Sequence, residues 1–286
     1  MELKNIHSVY FIGIGGIGMS ALARFYLSKD ISVGGYDKVC TPLTESLVKE
    51  GATISYSDEL SEVSTSFKNV KTTLVVYTPA IASNHKVYNY FKDNGFDIVK
   101  RSELLGLITD ELFTIGVAGT HGKTTTSSIV AHVLNNSGFP VNAFLGGISS
   151  NLNSNFLLNE KAETVVVEAD EYDRSFLTLA PNIAIVTSMD ADHMDIYGEH
   201  SYLTESFEKY VSKLPLGGIL IKRKGLSVAH NKTIEYAVNE KADYYATNVN
   251  IENGEYHFDI VTPRETVKDV VLGMPGLHNV ENEVEA

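Results

Sequence analysis

Residues 113–125 read FTIGVAGTHGKTT, an apolar β-branched run that breaks into a glycine-bounded loop and then into Lys123, Thr124 and Thr125. The stretch beyond carries Ile129, Val130, Val133 and Leu134 at helical spacing and stops at Gly138. Strand, glycine loop and helix in that order leave free backbone N–H groups at a helix start, where they can wrap phosphate oxygens. Gly119-Thr120-His121-Gly122-Lys123-Thr124 resembles a Walker A loop. In such a loop Lys123 neutralises charge developing on a transferred phosphoryl group, the Thr124 hydroxyl reaches Mg²⁺, and His121 is positional. The loop is a variant: the strict pattern asks for glycine at position 117, where Val117 stands between Gly116 and Gly119.

Two further buried runs follow. Thr164 to Val167 leads into EADEYD, and Ile183 to Thr187 leads into SMDADHMD. In open α/β sheets ligands bind beyond the carboxyl ends of the strands, so a glycine loop and two polar clusters at three such ends predict one composite site. Glu168, first off its strand, is placed to serve Mg²⁺. Asp170, Glu171 and Asp173 read as a solvated turn. His193, bracketed by Asp190, Asp192 and Asp195, reads as a metal ligand or phosphate contact. Leu216 to Ile221 is a further strand, and the ENG turn at Glu252 to Gly254 centres a hairpin within Asp243 to Val261. The final GMPGLHNVENEVEA gives a Pro-Gly break, Asn279 as a helix cap, and the first turn or two of a helix.

Toward the N-terminus a second glycine loop appears. His7 to Gly13 is a short strand, and Gly13, Gly15 and Gly18 form GxGxxG, with Asp37 ending the next strand, Ile31 to Tyr36. The glycines allow close approach of a pyrophosphate and the acid can take a ribose hydroxyl; alone, this pattern means a dinucleotide, NAD by default. Leu43 to Glu50 reads as a helix closed by Gly51, Thr73 to Thr78 as a strand closed by Pro79, and the pattern resets around Arg101 to Asp110. The fold expected is α/β: an N-terminal Rossmann-like parallel-sheet domain over 1–106, then a P-loop type central ATPase domain over 107–286.

Composition narrows the function classes. The 286 residues carry a net charge of −13, and the excess acid lies beyond residue 106, where 12 basic side chains face 25 acidic ones. A surface of that sign repels nucleic acid, and no basic patch offsets it. The lone Cys40 excludes an internal disulfide and fits a reducing, cytoplasmic setting. The uncharged stretch from Val9 to Ala23 is broken by glycines and is neither signal peptide nor membrane span. Two phosphate loops on successive α/β units mean two phosphorylated ligands. Transfer from ATP to a nucleotide-linked substrate follows, whereas hydride transfer needs no second loop.

GIGGIGMSALA from Gly13, YTPAI at Tyr77 to Ile81, AGTHGKTTT, VEADEYDRSFL, VTSMDADHMDIYG and PGLHNVEN together closely resemble the Mur ligases, in order over essentially the whole chain. THGK and the GIGGIGMS opening favour alanine as the amino acid added. The resemblance implies UDP rather than NAD in the first domain, its diphosphate on Gly15, Gly16, Ile17, Gly18, Met19 and Ser20, its uridine near Asp37, Thr78 and Ala80. It implies ATP on Gly119, Thr120, His121, Gly122, Lys123, Thr124 and Thr125, with Mg²⁺ on Thr124 and Glu168 and a second metal on His193. Lys123, Glu168 and His193 are the implied catalytic residues. His278, Asn279 and Asn282 match the family's HNxxN, directed toward adenine. Sister ligases use a carbamylated lysine; Glu208 and Lys209 lie near its distance and neither is assigned.

The implied reaction phosphorylates the lactyl carboxylate of UDP-N-acetylmuramate to an acyl phosphate, which the amine of L-alanine attacks. The family's C-terminal domain is expected to be missing and the central domain incomplete at its C-terminus, with weak or no turnover as the consequence. The alternatives are a nucleotide-binding module without catalysis and an NAD-dependent oxidoreductase.

Overall fold

A computed structural model describes residues 5–191 and 200–286. By its internal contacts the chain divides into two units, Met1–Leu107 with Phe144–Leu158, and Ile108–Ala143 with Asn159–Ala286. A linear boundary after residue 106 does not anticipate the excursion of 144–158.

The first unit is built on β1 (Ser8–Ile12), α1 (Ile17–Leu27), β2 (Ser32–Tyr36), α2 (Pro42–Lys49), β3 (Thr53–Ser55), β4 (Thr73–Tyr77), α3 (Lys86–Asp93) and β5 (Asp97–Lys100), after which α4 (Arg101–Asp110) leads out. Its sheet runs β3-β2-β1-β4-β5, every adjacent pair parallel. Central β1 is buried at all five positions, as a strand covered on both faces must be. One side of the core gathers Tyr10, Phe67, Phe91 and Phe96, with Tyr10 edge-on to Phe67 at 5.5 Å between centroids. Helix α1 turns Met19, Ala21, Leu22, Ala23 and Tyr26 inward. The segment where the sequence pattern resets is helix α4.

The second unit contains β6 (Phe113–Ala118), α5 (Lys123–Asn136), β9 (Thr164–Ala169), β10 (Ile183–Val186), α6 (His200–Val211), β11 (Ile219–Arg223), β12 (Thr233–Val238), β13 (Tyr244–Glu252), β14 (Glu255–Val261), β15 (Thr266–Leu272) and α7 (Leu277–Glu285). The hairpin β7 (Val141–Ser149) and β8 (Ser154–Leu157) lies mostly in the 144–158 excursion. Strand order is β15-β14-β13-β12-β11-β10-β6-β9, then β7. The ladder from β9 to β13 is parallel, and β14 and β15 add to it antiparallel. The expected hairpin is β13–β14, turning at Asn253-Gly254.

Two readings need correction. The strand expected from Leu216 begins at Ile219, because Pro215 and Gly218 close a turn first, Gly218 N donating to Pro215 O at 2.7 Å. The last helix is a full nine residues capped by Gly276 at φ +103°, not by Asn279. Asn279 sits inside the first turn and its Nδ2 donates back to Pro275 O at 2.7 Å. Despite its charge, α7 packs inward: Val280 and Val284, one turn apart, lie against Tyr236, Ala246, Phe258 and Leu272.

Candidate functional site

In the first unit Gly13, at φ +92°, makes the turn out of β1, and a Cβ there would meet Thr78 Cγ2 at 2.6 Å, so the turn after β4 lies against the glycine loop. Gly15 N donates to Asp37 Oδ2 at 2.7 Å and Val39 N to Oδ1 at 3.2 Å. The Asp37 carboxylate therefore shapes the loop, with lone pairs left over. Helix α1 starts at Gly16 with no side-chain cap, so its first N–H groups are served by no capping side chain. Ile17 and Gly18 contribute backbone there. Met19 and Ser20 turn their side chains inward, and the Ser20 hydroxyl donates to Ile17 O at 2.8 Å. Buried Asn155 ties the helix down, its Nδ2 donating to Ile17 O at 2.6 Å and to Ser20 Oγ at 2.9 Å while its Oδ1 accepts from Arg24. Ala80 is exposed. Arg101, which the sequence did not single out, lies beside Gly18: a Cβ at Gly18 would stand 3.0 Å from its Nη1.

The second unit encloses a cavity of about 740 Å³ whose lining includes Thr120, His121, Gly122, Lys123, Thr124, Thr125 and Glu168. The loop that closes β6 is clamped onto the end of β10. Gly119, at φ +142°, has no room for a Cβ, which would collide with Thr187 Oγ1. Thr187 Oγ1 also donates to His121 O, His121 N donates to Ser188 Oγ at 2.8 Å, and Thr120 Oγ1 accepts from Asp190 N at 3.1 Å. Thr187 and Ser188 follow directly on the apolar IAIV run, and that position was their only sequence signal.

Lys123 Nζ donates to Gly119 O at 2.7 Å and pairs with Glu171, whose oxygens stand at 2.8 and 3.0 Å. Glu171 has no exposed side-chain surface, which corrects its reading as part of a solvated turn. Asp170 is the turn former: its Oδ1 accepts from Tyr172 N at 3.1 Å. His278 and Asn282 from α7 line the cavity, and a Cβ at Gly122 would sit 2.7 Å from Asn282 Oδ1. Asn279 does not line it but accepts from Asn282 Nδ2 at 3.2 Å. Arg223, Tyr236 and Glu281 also line the cavity, Arg223 pairing with Glu281 at 2.9 Å. His193, Asp192 and Asp195 lie outside the described residues.

Behind the cavity Glu285 is buried and accepts from the Thr126 hydroxyl on α5. Burial, reinforced by the charge of Glu281, pushes its carboxyl up to about 8 against hydrogen bonds from Thr126 and Tyr236. Burial also drives the Tyr236 hydroxyl far above its usual range.

Among the described residues no three His, Cys, Asp or Glu side chains form a metal cluster. Thr124, Glu168 and Asp190 do share the cavity wall, Glu168 as the fifth residue of β9 and not, as the sequence suggested, the first residue beyond it. Such a sparse, hard oxygen set fits Mg²⁺, which takes one or two protein carboxylates and completes its shell with phosphate and water.

A strand–loop–helix with a lysine clamped at the helix start, opening on a nucleotide-sized cavity, is matched by family models along nearly the whole chain. The model described as "Mur ligase family, catalytic domain" covers residues 8–112, and "Mur ligase middle domain" covers 117–286. The chain belongs to the Mur ligase family. It is 48% identical over its full length to the UDP-N-acetylmuramate–L-alanine ligase of Phocaeicola vulgatus, covering 63% of that protein. It is 49% identical over 99% of its length to the enzyme of that name from Flavobacterium johnsoniae, covering 62% of it. The chain thus spans under two thirds of these curated relatives. Among solved structures, UDP-N-acetylmuramate-alanine ligase MurC from Thermotoga maritima superposes with a TM-score of 0.82 at 27% identity, over 97% of this chain and 63% of that one. UDP-N-acetylmuramate:L-alanyl-gamma-D-glutamyl-meso-diaminopimelate ligase from Neisseria meningitides gives 0.85 at 23% identity, over 98% and 91%, a likeness of fold.

Proposed function

We propose that the chain carries the sugar-nucleotide and ATP sites of an ATP-dependent ligase that joins L-alanine to the lactyl carboxylate of UDP-N-acetylmuramate, in peptidoglycan precursor synthesis in the cytoplasm. The observation that carries this reading is the second loop: Lys123, Thr124 and Glu168 on the wall of one nucleotide-sized cavity. The names borne by relatives nearly half identical to this chain supply the substrates.

On this reading the backbone N–H groups of Gly119 to Thr125 wrap the β- and γ-phosphates, and the Lys123 ammonium meets the γ-phosphoryl oxygens. A carboxylate and a triphosphate repel each other, so the reaction waits on positive charge placed between them. Lys123 supplies part of it without reorganising, being already held by Gly119 O and Glu171. Thr124 and Glu168 would hold Mg²⁺, which when bound adds charge neutralisation on the phosphates. His278 and Asn282 face the adenine end, and Asn279 orients Asn282. In the first unit the Gly15–Ser20 loop receives the UDP diphosphate through backbone N–H groups, with Arg101 beside it. The lactyl carboxylate attacks the γ-phosphorus, ADP leaves, and the alanine amine displaces phosphate from the acyl phosphate.

The decisive experiment measures ADP release from ATP with UDP-N-acetylmuramate, with and without L-alanine, on this chain and on a longer one. ADP release that requires the sugar nucleotide is expected. A chain that binds neither UDP-N-acetylmuramate nor ATP sinks the reading.

A further inference from the structure

The acidic turn after β9 holds a carboxylate, Glu171, that is not among the cavity-lining residues and that the proposed chemistry gives to neither metal nor nucleotide. Glu171 is fully buried, yet it sits within ion-pair distance of the one cation on the phosphate loop, at 2.8 and 3.0 Å from Lys123 Nζ. We propose that Glu171 is a positioning residue for Lys123: the ammonium stays on Glu171 when nucleotide binds and bridges it to the terminal phosphate, so the carboxylate fixes the ammonium's place and lowers ground-state affinity for the polyphosphate. This inference rests on the reading of residues 119–125 as the ATP loop.

Three observations support a bridge rather than a swing. The first is donor arithmetic. An ammonium has three N–H donors; Gly119 O at 2.7 Å takes one and the Glu171 carboxylate another, which leaves one for a phosphate oxygen with no bond broken. The second is desolvation. Glu171 has 0% of its side chain exposed and Lys123 only 13%. Carrying the ammonium away would take a charge partner from a carboxylate that water cannot reach, and breaking a buried pair from one side is strongly unfavourable.

The third observation is the rigidity of the support. Arg174 N donates to Glu171 O at 2.9 Å, and Phe176 N and Ser175 Oγ donate to Asp170 O at 2.8 and 2.9 Å. Phe176, buried five residues beyond Glu171, packs against Phe207 and Tyr210 of α6, with ring centroids 5.3 and 5.1 Å away. Glu171 therefore stands on a turn locked at both ends. The acids of this cluster divide their labour: Glu168 faces the cavity, Asp170 closes the turn, and Glu171 holds the lysine.

A fixed ammonium matters because the phosphoryl group moves. A lysine free to follow the polyphosphate would lie wherever ADP or ATP holds its charge best, while one tethered from behind stays where the transferring group passes. The negative charge behind it weakens attraction for any polyphosphate, product included.

The test uses E171Q, K123M and the double variant in the whole 286-residue chain. In thermal denaturation K123M is expected to lower the midpoint, and K123M/E171Q to recover most of that loss, since the buried carboxylate is then gone. In calorimetric titration with MgADP and MgATP, E171Q is expected to bind both several-fold more tightly than the wild type. Where ADP release is measurable, kcat and KM for ATP fall together; a residue serving only the fold would raise KM. If E171Q proves unstable, E171M, uncharged and of similar length, repeats the affinity measurement. Additive midpoint losses, or nucleotide affinity unchanged or weaker without the carboxylate, overturn the proposal. The midpoint and affinity measurements need no ligation, so a wild type that binds MgATP but whose ADP release does not depend on UDP-N-acetylmuramate counts against the proposed function and leaves this inference standing.

Discussion

Two glycine loops, one in each unit, start from the same plan of buried strand, tight turn and helix start, yet they are charged differently. Residues 13–20 carry no ionic side chain, and the nearby charges come from outside: Asp37 at the end of β2 accepts from Gly15 N, and Arg101 of α4 lies against Gly18. Residues 119–125 carry their own cation, and Lys123 is held by a loop carbonyl and a buried carboxylate. On the proposed function, the difference matches what each loop is asked to do. A diphosphate that is only held needs backbone N–H groups and a helix start. A phosphoryl group that is transferred needs a charge fixed along its path.

The largest effect expected from breaking this comparison is at Lys123. K123M should weaken ATP binding and any ADP release by roughly 10²–10³-fold, the scale of losing one preorganised electrostatic contact. It should also cost about 3–5 kcal/mol of stability, because Glu171 loses its buried partner. UDP affinity should not change. Isothermal titration with the two nucleotides separates these outcomes, and equal losses for both would mean that the two loops do not act independently.

The helices behind the loops give the second prediction. Helix α5 is backed by Glu285, whose carboxyl burial raises to about 8. The unfolded chain ionises this group near the ordinary carboxylate value, so the folded state binds the extra proton. Stability is therefore lost as pH rises from about 4.5 to about 8, by at most ~1.4 kcal/mol per pH unit. E285Q should remove that slope. Measured by urea denaturation across this range, the variant should gain on the wild type with rising pH; parallel curves would show that the carboxyl is not held neutral.

These contrasts were unequally legible in the sequence. Long buried strands and glycine turns announce themselves because period and spacing are local, and β1, β4, β6, β9 and β10 all stand where apolar runs predict them. Three-residue β3 has too little sequence to show a period, and β7 and β8 lie in an excursion whose register no local pattern sets. At the site, Lys123 and Thr124 stand on the cavity wall where the local loop pattern puts them, and Glu168 reaches the same wall from its own apolar strand. Thr187, Ser188, Arg101 and Glu171 were not legible in this way. Each meets its partner across 45 residues or more, as Lys123 and Glu171 do over 48, and a polar residue in a turn reads as solvated until a tertiary contact buries it.

The third prediction concerns the first loop. Because Arg101 approaches Gly18 from α4, R101A should weaken UDP or UDP-sugar binding by about tenfold, ~1.4 kcal/mol, and leave ATP affinity unaltered. Fluorescence or calorimetric titration reads it. Unchanged UDP affinity would leave the first loop to bind through backbone alone and would sharpen the contrast with Lys123.

The smallest effect lies behind α1, with the opposite sign to Glu285. Arg24 grips Glu50 through two nitrogens, Nε and Nη2, each 2.8 Å from a carboxylate oxygen. Burial pulls the Glu50 carboxyl upward, but hydrogen bonds from Arg24 and Ser46, with the Arg24 charge, outweigh it and hold the group below its ordinary value. The folded state thus favours the ionised form, so this contribution is present above the ordinary carboxylate pKa and fades as pH falls through the lowered one. Glu50 keeps 35% of its side chain exposed, and solvent screening limits the pair to below about 1 kcal/mol. E50Q should therefore be less stable than the wild type near neutral pH and converge with it in acid, while E285Q should match the wild type in acid and become the more stable of the two as pH rises. If both variants showed the same pH sign, the two helices would share one kind of support and the electrostatic distinction between the two loops would not extend to the helices behind them.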